Sequence, residues 1–325
     1  MTPSNLLAII LFFLCTSATG VAASGWSELS TAQAYADLST TQWSHGSASC
    51  KTDRSPPIQV MQADATTFVL RQNKCVTFEA PFIYVLIGRD TVLVVDTGAN
   101  QAPEESPIFD TVMSLLAASN DSPRHADKKM LVVHSHSHRD HYQGDRQFAG
   151  NRNTEVVGTS QQALTRSLGF KDWPNRESGL DLGGRPLILI PTPGHQDQSI
   201  AIYDQQTGWL ITGDTLYPGL IRVQGWDVYK ASIERLVLFS STHDISAIMG
   251  AHIEMNAATG KIYAIGTTYQ PKEPPLALMV DNLRELHSVL QQTHSAKQLD
   301  FAEFTVAPLS RMEKALIKIM SWGKD

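Results

Sequence analysis

Between Leu131 and His141 the chain reads Leu-Val-Val-His-Ser-His-Ser-His-Arg-Asp-His. The apolar stretch Met130–Val133 passes without a break into four histidines and an aspartate within eight positions. An unbroken apolar run of this kind predicts a strand buried on both faces, in the middle of a sheet. The residues after it must then emerge at the sheet's C-terminal edge, where open α/β sheets gather their ligand sites. Packing does not explain the histidines. Clustered imidazoles repel one another when protonated and lose hydration when buried. Alternating residues at a strand end point the same way, so His136 and His138 can reach one metal together. Asp140 and His141 follow where the chain turns and can face a second position. Imidazole nitrogen suits zinc, and a carboxylate adds a hard ligand beside it.

The remaining pattern reads as a frame for such an edge. Thr67–Leu70, Cys75–Phe78, Phe82–Ile87 and Thr91–Val95 are spaced as consecutive strands. Ile108, Val112, Leu115 and Leu116 predict a helix over 106–118. Leu187–Ile190, Ser199–Tyr203 and Trp209–Thr212 read as strands, the last two joined by a hairpin turn at 204–208. Asp227–Phe239 reads as a helix and Ile245–Met249 as a strand. Met279, Leu283, Leu286 and Leu290 mark a C-terminal helix, and a final helix is expected near Met312–Met320. Gly25–Pro57 is polar and Ser/Thr-rich, and reads as a helix plus an extended lead-in. Strands interleaved with helices in both halves predict an α/β sandwich. No linker is long enough to separate domains. The expected division is a leader over 1–23, an N-terminal extension over 24–64 and one domain over 65–325.

The leader is read from its charge. Met1 to Gly25 holds no Lys, Arg, Asp or Glu, and Leu6–Leu14 is wholly apolar. Small residues follow up to Ala23, the pattern of a signal peptide, in a run shorter than the roughly 20 residues a membrane helix needs. The expectation is a periplasmic or secreted protein without a stable membrane anchor; an uncleaved anchor is the alternative. Cys15 would leave with the leader, so Cys50 and Cys75 are expected to form one disulfide. Two buried free thiols are the alternative. Lys and Arg number 26 against 32 Asp and Glu, a net charge of −6. With no basic stripe to track phosphates, a nucleic-acid partner is not expected and a small-molecule substrate is.

His136-Ser137-His138-Arg139-Asp140-His141 matches the H-x-H-x-D-H motif of the metallo-β-lactamase superfamily. The register excludes His134. Asp96 in Val95-Asp96-Thr97-Gly98, His195 in Pro193-Gly194-His195, Asp214 in Gly213-Asp214-Thr215 and His252 in Gly250-Ala251-His252 resemble the family's other landmarks, in order. Each also lies just past an apolar strand. The resemblance implies a four-layer αββα sandwich and two metal ions. One would be held by His136, His138 and His195, the other by Asp140, His141 and His252, with Asp214 bridging. Asp96 would orient a ligand histidine. Zinc is the default for such a set, with Fe or Mn as alternatives.

Two metals roughly 3.5–4 Å apart can share a water and bring its pKa towards 7, so that the resulting hydroxide attacks a carbonyl. Asp140 is the expected catalytic residue, holding that nucleophile. The sequence holds no Gly-x-Ser-x-Gly, which removes the nucleophile-elbow route of serine hydrolases. A bridging aspartate resembles glyoxalase II, lactonases and related esterases. The expected activity is therefore hydrolysis of a small ester, lactone or thioester. A periplasmic β-lactamase acting on β-lactam amides is the alternative. Tyr217, three residues after Asp214, is a candidate substrate contact; packing of its loop is the other reading.

Overall fold

Side chains alternate between the faces of a strand, so a strand apolar at every position must be covered on both sides. The computed structural model describes residues 38–118, 128–310 and 312–313. Its first sheet runs in the order β1 (Ile58–Asp64), β2 (Thr67–Gln72), β3 (Phe82–Ile87), β4 (Thr91–Val95), β5 (Lys129–Val133) and β6 (Thr154–Val156). β1 to β4 form an antiparallel meander, and β5 and β6 add on in parallel. The second sheet contains β7 (Ser178–Asp181), β8 (Pro186–Pro191), β9 (Ile200–Asp204) and β10 (Trp209–Gly213). β11 (Leu220–Val223) leaves this sheet to pair with Thr305–Pro308, and β12 (Ala247–Gly250) returns parallel to β10.

The two sheets face each other across one core. Phe82, Tyr84, Leu86, Leu93, Val95, Leu131 and Val133 of the first sheet pack with Leu187, Leu189, Ile202, Ile211 and Met249 of the second. The alternate residues of the same strands face outwards. Ile83, Val85, Val92, Val94 and Val132 are covered by Ile108, Val112 and Leu116 of α1 (Ile108–Ala118). Single turns α2 (Arg139–Tyr142) and α3 (Asp145–Phe148) and the helix α4 (Gln161–Leu168) follow β5 and β6. Ile190, Ala201, Leu210 and Ile248 are covered by α5 (Trp226–Ser240) and α6 (Val280–Gln292). This is the expected α/β sandwich in its four-layer αββα form. β4, β5, β8, β10 and β12 all end at one edge, and there the two sheets are stitched together. Ile200 N–H donates to Ser135 O at 2.8 Å, and Phe82 N–H to Ala251 O at 2.8 Å.

Two local expectations are corrected. Cys75–Phe78 is a turn and not a strand. The Asn73 carbonyl accepts from Val76 and Thr77 N–H, and its side chain accepts from Cys75 N–H, so the backbone is satisfied locally. The sheet also begins earlier than 65. β1 lies in the stretch read as extension because, as an edge strand, it is exposed at alternate positions and offers little apolar signal. The proposed leader, and all of the last predicted helix beyond Met312 and Glu313, lie outside the described residues. Among the described residues no helix is long and apolar enough to cross a membrane.

The extension clasps the edge of the sandwich. Trp43 packs edge-on against Phe82 with ring centroids 4.7 Å apart. Ser47 N–H donates to Thr268 O, and Gln270 N–H donates to His45 O. Cys50 and Cys75 form the expected disulfide, tying the extension to the turn after β2. Beneath it Arg71, fully buried, holds Glu273 through two hydrogen bonds of 2.7 and 2.6 Å. Removing one partner of such a pair strands the other's charge. Glu273→Ala is expected to destabilise the fold by about 3–5 kcal/mol in urea unfolding. The Cys50→Ser, Cys75→Ser double variant is expected to lose about 2–4 kcal/mol, read as a lowered Tm.

Candidate metal centre

Each candidate ligand sits on the first residues past a buried strand. After β5 the chain makes an open loop and then α2, whose first turn returns His141 N–H to His138 O at 3.1 Å. This turn puts His136 and His138 on one side and Asp140 and His141 on the other. Thr97 N–H, just past β4, donates to His141 O at 2.8 Å and holds the loop from the neighbouring strand. His195 follows Gly194, whose φ is +141°. A Cβ at Gly194 would lie 2.4 Å from Tyr229 Cα, so α5 can approach the His195 loop here because the residue is glycine. Asp214 follows β10, and His252 follows β12.

The structure brings seven of these side chains into two adjoining groups that share Asp214. In one, His136 Nε2 lies 2.9 Å from His138 Nδ1 and 3.2 Å from His195 Nε2, and the last two are 3.0 Å apart. Asp214 Oδ2 stands 3.8 Å from His136 Nε2 and 3.5 Å from His195 Nε2. In the other, His141 Nε2 and His252 Nε2 are 3.3 Å apart, with Asp140 Oδ2 at 3.1 and 3.3 Å from them. Asp214 Oδ1 faces this second group at 3.6 and 3.4 Å. His134 belongs to neither group; it is buried with its Nε2 3.2 Å from Asp145 Oδ2.

A metal fits this donor set. Tetrahedral arms of 2.0–2.1 Å give ligand–ligand edges of about 3.3–3.4 Å, close to the spacings seen. The rings are also held from behind. His195 Nδ1 bonds Arg222 O at 2.7 Å, His252 Nδ1 bonds Glu79 O at 3.1 Å, and His141 Nδ1 bonds Asp96 Oδ2 at 2.8 Å. A carbonyl or carboxylate can only accept, so Nδ1 carries a proton in each ring and Nε2 is the nitrogen turned to the centre. Asp214 Oδ1 is buried with no hydrogen-bond partner, an orphaned anionic oxygen that a cation would satisfy.

The two groups differ in charge. Burial, and then the neighbouring imidazoles, hold His136 and His195 well below their ordinary pKa. Burial also lowers His138. In the second group burial opposes protonation, but carboxylates outweigh it. Asp214 and Asp140 lift His252 to about 9, and Asp140, Asp96 and Asp214 lift His141. Asp140 stays low despite burial because of these cationic rings, and burial pushes Asp214 up to about 6.

Tyr217 is buried, with its ring 5.5 Å from that of His252. Its hydroxyl donates to Leu220 O at 2.7 Å and lies 3.1 Å from Glu254 Oε2. The hydroxyl named as a candidate substrate contact is thus engaged inside the fold. Sequence reasoning missed the carbonyls of Arg222 and Glu79 and the hydroxyl of Ser135. A carbonyl leaves no residue-type signature, and Ser135 was legible only by its place before His136.

The charge asymmetry predicts the pH dependence of loading. The three-histidine group is neutral at pH 7 and takes a cation without shedding protons. The second group, whose His141 and His252 are both raised, must shed protons first, so its apparent affinity should rise as the pH increases from 7 towards 9. Calorimetry in buffers of different ionisation enthalpy reads this directly. Two equivalents bound at pH 7 with no proton release would contradict it.

The chain is similar to several known proteins. The metallo-beta-lactamase superfamily model matches residues 76–241. The acyl-coenzyme A thioesterase MBLAC2 of Gallus gallus is 24% identical over 222 residues, covering 58% of this chain and 78% of that protein. A metallo-beta-lactamase from Pontibacter korlensis is similar in structure, with a TM-score of 0.46 and 16% identity over 73% of this chain and 100% of its own. An archaeal superfamily protein from Sulfolobus tokodaii gives a TM-score of 0.41 at 15% identity over 74% and 90% of the two chains. With the family model spanning half the sequence and two His/Asp groups at the expected strand ends, the chain belongs to the metallo-β-lactamase superfamily of metal-dependent hydrolases.

Proposed function

We propose that the protein is an exported hydrolase of small thioesters, esters or lactones that works with two zinc ions. The observation that carries this reading is Asp214, whose two oxygens face the two ligand groups separately. A carboxylate so placed can bridge a pair of cations and hold them at a fixed separation. When bound, two such ions supply Lewis acidity towards a carbonyl oxygen and lower the pKa of water between them.

The chain's own groups do the rest. Asp140 is half-buried at the mouth of the site, whereas His141 and His252 beside it are buried. Its carboxylate orients the attacking water by accepting a hydrogen bond, and it is the group best placed to pass a proton to the leaving atom. Arg222 O, Glu79 O and Asp96 keep the histidines in one tautomer throughout. A thioester is the favoured substrate within the class because the relative MBLAC2 is named as an acyl-coenzyme A thioesterase. We infer an oxidising compartment, periplasmic or secreted, in support of which stands the disulfide between Cys50 and Cys75.

Metal-quantified protein lacking residues 1–23 should hydrolyse acyl thioesters or aryl esters in a panel that also holds lactones, β-lactams and phosphodiesters. Turnover of β-lactams alone would overturn the acyl-ester reading. His138→Ala and Asp140→Ala should each lower kcat/KM by at least about 10²-fold and reduce bound metal, and chelation should abolish turnover. Full activity after chelation would refute the metal mechanism.

A further inference from the structure

Ser135 lies between the two ligand groups but belongs to neither. We propose that its hydroxyl is a positioning group that locks His136 to the same buried carboxylate, Asp96, that already orients His141. One carboxylate would then set the ligand tautomer on both sides of the centre. The inference rests on the two-metal reading above.

The geometry is as follows. Ser135 Oγ lies 2.8 Å from Asp96 Oδ2, 3.1 Å from His136 Nδ1 and 3.4 Å from His141 Nδ1. Ser135 N–H also donates to Asp96 Oδ1 at 2.7 Å. A hydroxyl has one proton to give and lone pairs to accept with. Asp96 Oδ1 accepts from the Ser135 N–H and Oδ2 from the Ser135 hydroxyl, so the Ser135 proton goes to Oδ2. The hydroxyl oxygen is then free to accept from His136 Nδ1–H. His141 Nδ1–H goes to Asp96 Oδ2 at 2.8 Å, the shorter of its two contacts. Both rings therefore carry their proton on Nδ1 and present Nε2 to the metal positions. The relay runs from His136 through Ser135 to Asp96, with His141 joining it at the same oxygen.

The surroundings hold the relay in place. Ser135 and Asp96 are both buried, at 3% and 2% exposure, so water does not substitute for the hydroxyl. Asp96 has a φ of +68°, a left-handed backbone, and this turn carries its carboxylate back under the Ser135–His141 loop. Gly213, immediately before Asp214, closes the other side. A Cβ there would lie 2.5 Å from Ser135 Cβ and 2.7 Å from its Oγ. Ser135 thus touches the segments that carry His136, His141 and Asp214.

The roles of the two residues separate by experiment. The parent chain is first titrated with zinc against a chromophoric chelator. Failure to bind two equivalents would refute the two-metal reading itself and not the role of Ser135. Given two sites, Ser135→Ala should weaken one of them by about 10- to 100-fold and leave the other within about threefold. Asp96→Asn should weaken both. Cobalt-substituted Ser135→Ala should show a changed d–d spectrum for one ion. Unchanged affinity at both sites in Ser135→Ala, or an equal loss at both, would overturn the proposal. A measurement on the parent guards against a variant that fails to fold. In ¹⁵N-histidine-labelled, zinc-loaded protein, His136 should be the Nδ1–H tautomer with a downfield, exchange-protected proton. An Nε2–H tautomer for His136 would also overturn it.

Discussion

Five imidazole nitrogens and the oxygens of two carboxylates meet within a few ångströms at one edge of the sandwich, and the rest of the structure answers to that crowding. Lone pairs and like charges at such separations repel, and burial removes the water that would screen them. The arrangement persists without a rearranged ring because each of four histidines is held by an acceptor behind it. Those acceptors come from different elements: Asp96 past β4, Ser135 past β5, the Arg222 carbonyl of β11 and the Glu79 carbonyl of the turn before β3. Strands buried on both faces supply the rigidity, since none of them can shift without disturbing two cores at once.

The clasp formed by the extension is part of the same mechanical problem. His252 is oriented by Glu79 O, and Glu79 stands at the end of the 73–80 turn. That turn is fixed by the disulfide at Cys75, by the Asn73 side chain and by Lys74, whose Nζ donates to Phe78 O. Burial lowers the Lys74 pKa to about 8, and the nearby carboxylates of Glu273, Glu254 and Glu79 pull the other way. A segment remote from the metal positions in sequence therefore carries the orientation of one of their ligands.

How much could be read from the chain differs from residue to residue. His136, His138, Asp140 and His141 were legible because one loop carries them all, and their spacing is itself the geometry. His195, Asp214 and His252 are weak signals alone; they became legible from their order as the family's landmarks, and each also follows an apolar strand. β1 and the single turns α2 and α3 escaped, because an edge strand and a four-residue helix bury too little to leave a periodic pattern. For Tyr217 the sequence left substrate contact and loop packing open; in the fold its hydroxyl faces Leu220 and Glu254.

The sequence by itself determined the α/β sandwich and, through its motifs, the candidate ligand side chains, because strand pattern and residue chemistry are local properties of the chain. The tertiary structure alone decided which nitrogen of each ring faces the centre and which hydroxyl is turned inward. Those outcomes depend on hydrogen-bond partners tens to more than a hundred residues away, such as Asp96 for His141 and Glu79 for His252, and no spacing within a motif encodes them.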